Sequence, residues 1–279
     1  MTISNKIIFT TFILFVGGIF LWAIFAPKED ISTQIHKTLK EQEKKADVIF
    51  KEVKFQEISS GKKYWDLLAQ SAMLNKSTQI AALKSAKGTF YKNGKAVLLF
   101  RSPAALWDMK KKEIWLDKPL GKGAGFWFNA NNLSWKFADQ KLLCRGEIIL
   151  NKGEVTAFCD KLESDVALEK AALQGNPRII VAVNGRAPIS NAKITCEKIL
   201  YRQQDELIDL FGSVKISYQD ITASGNSARY LTQGKIIILE GQAHAVQGGS
   251  RLSGDKVKVD LKENKISVIG KGKISVSEE

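Results

Sequence analysis

The chain of 279 residues is 44% hydrophobic and carries a net charge of +13 at neutral pH. This composition excludes a chain that is disordered throughout, and the length allows one large all-β domain or two small ones. Residues 1–45 contain six lysines and four acidic residues, which leaves 36 basic and 25 acidic residues, a charge of +11, for the rest. The charge therefore predicts an anionic partner, whether nucleic acid, acidic lipid or phosphorylated glycan.

The first predicted element is an apolar run from Ile7 to Phe25. These 19 uncharged residues can cross a hydrocarbon core of roughly 30 Å as a helix. A cleaved signal peptide is the alternative, but a cut after Ala26 would need a small residue where Ile24 stands. We therefore predict a cytoplasmic tail at residues 1–6 and an uncleaved transmembrane helix at 7–26, although lysines on both sides give little charge bias to orient it.

Residues 27–46 are predicted to form a polar spacer. Ile31, Ile35 and Leu39 share one face of a short helix that could lie on the membrane surface. From Asp47 onward, β-branched and aromatic residues alternate with polar ones, which predicts an all-β domain. The turn dipeptides between the predicted strands include Asn93-Gly94, Lys152-Gly153, Gln233-Gly234 and Gly248-Gly249.

A glycine recurs in the same frame of five apolar strands. The five are Gly146, Gly175, Gly212, Gly241 and Gly270, with gaps of 29, 37, 29 and 29 residues. A second strand precedes four of these glycines, and two more degenerate copies precede them, which predicts seven hairpins of two strands each. Each glycine marks either a bend of its strand or a gap where a ligand approaches the backbone.

Two architectures can stack such hairpins: a closed sandwich or roll, and an open-ended elongated roll. The hairpins could also form one such body or two. The last predicted strand, at about Lys265 to Val276, would leave a free edge with which another chain can pair.

The N-terminal part of the chain and the later repeats each resemble a known family. The layout of one span, a spacer and "ADVIFKEVKFQEISSGKKYWDLL" resembles the LptC family, the anchored periplasmic component of lipopolysaccharide export. The later repeats, such as "LIDLFGSVKISYQDITASGNSARY", resemble the OstA-like β-jellyroll modules of LptA and its relatives. On this basis residues 47–125 are LptC-like and residues 126–279 are OstA-like repeats. Joining the two in one polypeptide departs from both families, and such a chain could replace part of a separate bridge.

The resemblance implies an elongated, twisted β-jellyroll of repeated hairpins behind a single N-terminal transmembrane helix. Its interior would hold the acyl chains of lipopolysaccharide. The implied location is the inner membrane, single-pass, with the C-terminal domain in the periplasm. The chain would receive lipopolysaccharide from an inner-membrane ABC transporter of the LptB, LptF and LptG type, and pass it to an LptA-type periplasmic bridge, toward the outer membrane. No enzymatic activity, cofactor or nucleic-acid partner is expected.

Apolar residues in the alternating frame of the later repeats are candidates for lining a lipid trough, although packing of an ordinary core explains each of them as well. These candidates are Leu210, Val214, Ile216, Ile237, Leu239, Ala243, Ile266, Val268 and Ile274. The candidates for partner contact on the last strand are Lys265, Ser267, Ile274 and Val276.

The remaining reactive residue types predict no catalytic or metal site. Cys144, Cys159 and Cys196 have no metal-ligand spacing and lie in apolar surroundings, where cysteine acts as a small hydrophobe. His36 and His244 are isolated from one another. The sequence also contains no hydrolase elbow or phosphate-binding loop, so any energy for transport must come from a partner.

Four tryptophans lie between residues 107 and 135, and a basic run at 110–112 lies among them. The tryptophans indicate contact with lipid or a partner, or else a core of large aromatic side chains. The basic run is a weak candidate for headgroup contact, and a solvated turn explains it equally. A structural envelope scaffold, or a polymerising anchored β-protein without lipid cargo, stays the alternative function.

Overall fold

The computed structural model describes residues 31–183 and 190–276. Within these residues it contains one helix, α1 (Ile31–Lys45), and nineteen strands. The strands up to the middle of the chain are β1 (Val48–Ser59), β2 (Lys62–Asn75), β3 (Ile80–Lys92), β4 (Lys95–Asp108), β5 (Glu113–Asp117), β6 (Leu120–Gly123), β7 (Phe126–Asn129), β8 (Asn132–Lys136), β9 (Lys141–Lys152) and β10 (Val155–Asp165). The others are β11 (Lys170–Gln174), β12 (Arg178–Val183), β13 (Ser190–Thr195), β14 (Lys198–Arg202), β15 (Leu207–Tyr218), β16 (Ile221–Leu231), β17 (Ile236–Gln247), β18 (Ser250–Asp260) and β19 (Lys265–Val276).

All strands pair antiparallel in one sheet that follows the order of the chain. We call one passage of the chain from one edge of the sheet to the other a crossing. Four crossings are divided into two short strands each, so the nineteen described strands make fifteen crossings. The all-β prediction is confirmed, while the predicted number of fourteen strands is too low. The sheet also continues across the predicted boundary at residues 125 and 126, because β6 pairs with β7.

The crossings bend near their middle, so that their two halves contribute to two walls. The first half of β10 pairs with β12, for example, and its second half pairs with β11. We call the wall that holds β6, β7, β12 and β13 wall A, and the wall that holds β5, β8, β11 and β14 wall B. The bend that joins the walls is the spine, and the two edges that carry the hairpin turns are the rims.

The apolar faces of both walls share one hydrophobic core, which extends along the chain from Trp65 to Ile266. Alternation within a strand produces this arrangement, since every second side chain points inward. In β15 the inward residues Leu210, Val214 and Ile216 are 0%, 0% and 3% exposed, on both sides of the bend. Each such side chain stabilises the fold by roughly 1.5–3 kcal/mol on burial.

The roll is open at both ends. Among the described residues, β1 pairs only with β2, and β19 pairs only with β18. The described sheet is therefore an open-ended roll in one piece. The predicted last strand has the expected bounds, because β19 spans Lys265–Val276.

The spacer forms the predicted helix, but its apolar face does not lie toward a membrane surface. Ile35 and Leu39 of α1 are 0% and 7% exposed, because they pack on the outer side of wall B against Met73 and Leu106. The sheet offers a complementary apolar surface at this place, which burial of the helix removes from water. The predicted span at residues 7–26 lies outside the described residues, and within them α1 is too short and too polar to cross a bilayer.

Candidate functional site: the interior and the rims

The predicted lining residues lie mostly inside the roll. Seven of the nine are at most 8% exposed: Leu210, Val214, Ile216, Ile237, Leu239, Ala243 and Ile266. Val268 is half-buried against the same core. Ile274 is 69% exposed, and its role as a lining residue stays a prediction. Ile274 pairs with the buried Leu252 and thus faces inward, but no later strand of the described chain covers it.

The repeated glycines lie at the spine, where they bend the strands. Gly212 has a φ of +78°, and the pairing of β15 with β16 shifts by one residue between Phe211 and Val214. A Cβ on Gly212 would lie 2.5 Å from the side chain of Glu197, whose backbone N–H donates to the Gly212 carbonyl at 3.2 Å. The gap left by the glycine is therefore occupied by a polar side chain of the protein.

The same arrangement recurs at every glycine of the period. Each glycine has a positive φ and faces a polar residue fifteen positions earlier, and that residue lies on the outer side of the spine. The other four pairs are Gly146 with Asn131, Gly175 with Asp160, Gly241 with Asn226, and Gly270 with Asp255. Of the two interpretations of the glycine, the structure supports the bend.

Gly212→Ala is expected to lower the free energy of unfolding by about 2 kcal/mol, because it adds a steric clash to an unfavourable backbone conformation. Gly153→Ala is the matched control, since Gly153 has a φ of +60° and nothing within 4 Å of the added Cβ. We expect about 1 kcal/mol for this control. Urea unfolding followed by circular dichroism measures both, and equal losses would contradict the role of the Glu197 contact.

A cavity of about 170 Å³ lies between the two walls. Wall A contributes Leu150, Val155 and Ile179 to its lining, and wall B contributes Leu173, Ile208 and Tyr230. An apolar cavity of about 150 Å³ can hold a molecule the size of benzene. With its rims in contact, the roll thus has room for a short segment of one acyl chain. None of the nine predicted residues lines this cavity.

The lining of the cavity also includes three partly exposed polar residues, Lys152, Glu154 and Thr232. The Lys152 ammonium lies 5.7 Å from the ring centre of Phe126 and 5.2 Å from that of Tyr201. Burial lowers the pKa of Lys152, and attraction by acidic residues opposes this shift. An apolar cavity with a cation at its edge suits the chain and the anionic group of an amphiphile.

Hydrogen bonds and ion pairs join the two rims beside this cavity. Lys152 Nζ donates to Gln203 Oε1 at 3.1 Å across the opening. Lys235 Nζ, from the other rim, contacts Glu154 Oε2 at 2.7 Å. Partly exposed pairs of this kind each stabilise the closed form by about 1 kcal/mol or less. The rims are therefore held together, but only by weak links.

A second set of ion pairs lies nearer the N-terminal end of the roll. Lys92 Nζ contacts Asp165 Oδ2 and Glu169 Oε2, each at 2.7 Å, across the rims. Burial of Asp165 opposes its ionisation, but hydrogen bonds from Lys92 and two backbone N–H groups outweigh it, and the pKa of Asp165 is lowered. Asp165 thus stays ionised and holds Lys92 on the opposite rim.

Aromatic side chains fill the N-terminal part of the interior. Trp65 and Trp107 meet edge to face with ring centres 5.3 Å apart, and Phe90 lies 5.7 Å from Trp135. Within the predicted tryptophan cluster, Trp135 is 2% exposed, whereas Trp127 is 45% exposed. Trp107 and Trp115 are partly buried, against the interior core and the α1 cluster respectively, so Trp127 is the surface residue of the four.

The other residues singled out in the sequence occupy unreactive positions. Burial raises the pKa of the Cys159 thiol to about 12, and Cys144 is completely buried. In the basic run, Lys112 lies in a turn and contacts Glu57 at 2.9 Å. His244 is exposed beside Ser224, with Nε2 and Oγ 2.8 Å apart. Within the described parts of the chain, no three His, Cys, Asp or Glu residues are placed to hold a metal ion.

The sequence of the later repeats is similar to a known family. Residues 128–265 match the family described as LptA/(LptD N-terminal domain) LPS transport protein. The matched residues make up just under half of the chain, and this part is similar to the LptA/LptD N-terminal domain family. The family is one of transport proteins, in agreement with the prediction that the chain is not an enzyme. The match does not extend to the predicted LptC-like residues 47–125.

Among solved structures, the chain is similar to LptH from Pseudomonas aeruginosa, the LptA-homologous periplasmic component of a conserved lipopolysaccharide transport device. The two share 12% identity over 55% of this chain and 95% of LptH, at a TM-score of 0.27. No curated protein matches the sequence. The similarity to a known family accordingly rests on the sequence match of residues 128–265.

Two features of the LptA/LptD-like part escaped prediction from the sequence. The residues of the cavity and its edge, such as Tyr230 and Lys152, come from turns and strands that no local pattern connects. The polar residues of the spine did have a signal, because Asn, Asp or Glu stands fifteen residues before every repeated glycine.

Proposed function

We propose that the chain is a periplasmic component of lipopolysaccharide export that carries acyl chains in the interior of its roll. The observation that carries this proposal is the match of residues 128–265 to a family of lipopolysaccharide transport proteins. The apolar cavity between the walls, with Lys152 at its edge, has the chemistry that such a cargo requires. The positive charge of the chain also complements the phosphates of a lipopolysaccharide headgroup.

In this proposal a whole lipid enters only when the rims separate. While the rims are in contact, the cavity holds about six carbon atoms. Burying about six methylene groups stabilises the bound state by roughly 5 kcal/mol. The links that must break, such as Lys235 with Glu154 and Lys92 with Asp165, oppose this by about 1 kcal/mol each. Lipid binding can therefore drive the separation of the rims.

We further propose that the chain is anchored in the inner membrane by residues 7–26, and that residues 47–125 serve as an LptC-like receiving part. The source of lipid would be an ABC transporter of the LptB, LptF and LptG type. The receiver would be an LptA-type bridge that pairs with β19. Open ends and free edge strands support this chain of transfer, because another jellyroll can extend the sheet there.

The scaffold alternative shares the free edges but requires no cargo, and photocrosslinking distinguishes the two. A photoreactive amino acid placed at Ile208 or Leu239, which are 5% and 0% exposed, is expected to crosslink lipopolysaccharide in cells with an intact transporter. Phe211 is the control, because it is 42% exposed on the outer side of β15. Absence of lipid adducts at both interior positions would overturn the carrier proposal and leave the scaffold.

A further inference from the structure

The outer face of wall A carries a mixed apolar and basic surface near the N-terminal end of the roll. Its residues are Lys87, Leu99, Arg101, Leu120, Lys122 and Trp127, and we call them the outer patch. Directly paired residues of an antiparallel sheet share one face. The pairs Lys87 with Arg101, Arg101 with Leu120, Leu99 with Lys122, and Lys122 with Trp127 make the outer patch contiguous.

The apolar members of the outer patch are unusually open to water. Leu99, Leu120 and Trp127 are 57%, 41% and 45% exposed. Single exposed apolar residues need no explanation, whereas a group of them on one flat face indicates a binding surface. Tryptophan in particular suits a boundary between water and lipid, because its ring is apolar and its N–H is polar.

The cations of the outer patch have no acidic partner. Lys87, Arg101 and Lys122 form no ion pair with any residue of the described ranges, unlike many other lysines of the chain. The nearest carboxylate in the same rows of the sheet is Asp66, which is held by Lys63 at 3.1 Å. The surface that complements three free cations is anionic.

The start of the N-terminal helix limits how far the predicted membrane span can lie from the roll. Helix α1 begins at the spine, where Ser32 Oγ donates to the carbonyl of Asn131 at 3.3 Å. Asn131 follows β7, the strand that carries Trp127. The apolar run ends at Phe25, and the six residues from there to Ile31 span at most about 20 Å. A membrane that contains the run would lie within that distance of the spine.

We propose that the outer patch rests on the surface of an anionic membrane, with Trp127, Leu99 and Leu120 at the lipid interface and the three cations on lipid phosphates. This contact would fix the orientation of the roll on the membrane. The proposal rests on the proposed membrane anchor at residues 7–26, but it is independent of lipopolysaccharide carriage, since it concerns the outer face of wall A and not the interior.

Quenching of tryptophan fluorescence by brominated lipids tests the contact. The full chain is reconstituted in vesicles of phosphatidylcholine, with or without phosphatidylglycerol, and compared with Trp127→Phe. We expect phosphatidylglycerol to increase quenching in the natural chain but not in Trp127→Phe. The double change Arg101→Gln and Lys122→Gln is expected to weaken the contact about thirtyfold, because each of the two cations favours binding to an anionic surface by about fivefold.

The matched control is Lys193→Gln with Lys215→Gln, which removes two exposed cations from a more distant part of wall A. This control should leave the quenching unchanged. Equal weakening by both double variants would show attraction by net charge alone and overturn the proposal. Quenching that is the same with and without Trp127 would also overturn it, and a protein would then be the partner of this face.

Discussion

Replacing Ile274 and Val276 together by lysine is expected to weaken association with an LptA-type jellyroll by about 100-fold or more. Both residues are 69% exposed, and Ile274 pairs with Leu252, an inward residue that is 7% exposed. A partner strand added to β19 would cover them and continue the core. Lysines there would be buried without a counter-charge, and inward charges of this kind are known to prevent edge pairing.

Ile269→Lys is the control on the same strand. Ile269 is 43% exposed and pairs with Lys256, an exposed residue, so that it faces outward. Its replacement should change association by less than about threefold. Crosslinking or pull-down with a purified LptA-type protein measures all three forms. Unchanged association of the double variant would show that this end of the roll does not receive the partner.

Trp135→Ala is expected to lower the free energy of unfolding by about 4 kcal/mol. The Trp135 ring is buried among aromatic side chains of both rims, 5.7 Å from Phe90 and 6.3 Å from Tyr64 between ring centres. Its removal leaves a large void that the stiff surrounding strands cannot close. Urea unfolding of the natural and variant chains measures the loss.

Trp127→Ala, eight positions earlier, provides the comparison. Because Trp127 is 45% exposed, we expect a change of less than about 0.5 kcal/mol. Similar losses for both tryptophans would contradict the division of the cluster into core and surface. The same pair of variants separates stability from membrane contact, since only Trp127 belongs to the outer patch.

Leu210 and Ile274 show how much local patterns predict. Alternation predicted the inward direction of both Leu210 and Ile274, because the direction of a side chain depends only on its place in the strand. Whether an inward residue is covered depends on the neighbouring strand. Leu210 lies between β14 and β16 and is buried, whereas Ile274 has a described neighbour on one side only.

The sequence by itself indicated the all-β class, the period of the repeated glycines, a short helix within the spacer at residues 27–46, and the similarity of residues 128–265 to a family of transport proteins. These are properties of short segments, or of their repetition, and they follow from side-chain spacing. Only the tertiary structure decided that the glycines bend the strands, since the side chains that fill their gaps come from another strand.

The tertiary structure also decided where the cavity lies and which charges are free. Lys152 and Gln203 meet across the rims although 51 residues separate them, and Lys235 reaches the carbonyl of Ala182 across 53 residues. Such contacts depend on how far the whole sheet curls, which is the sum of many small bends and twists. No single segment of the sequence determines this total curvature, so the rims and the outer patch could be identified only in the folded chain.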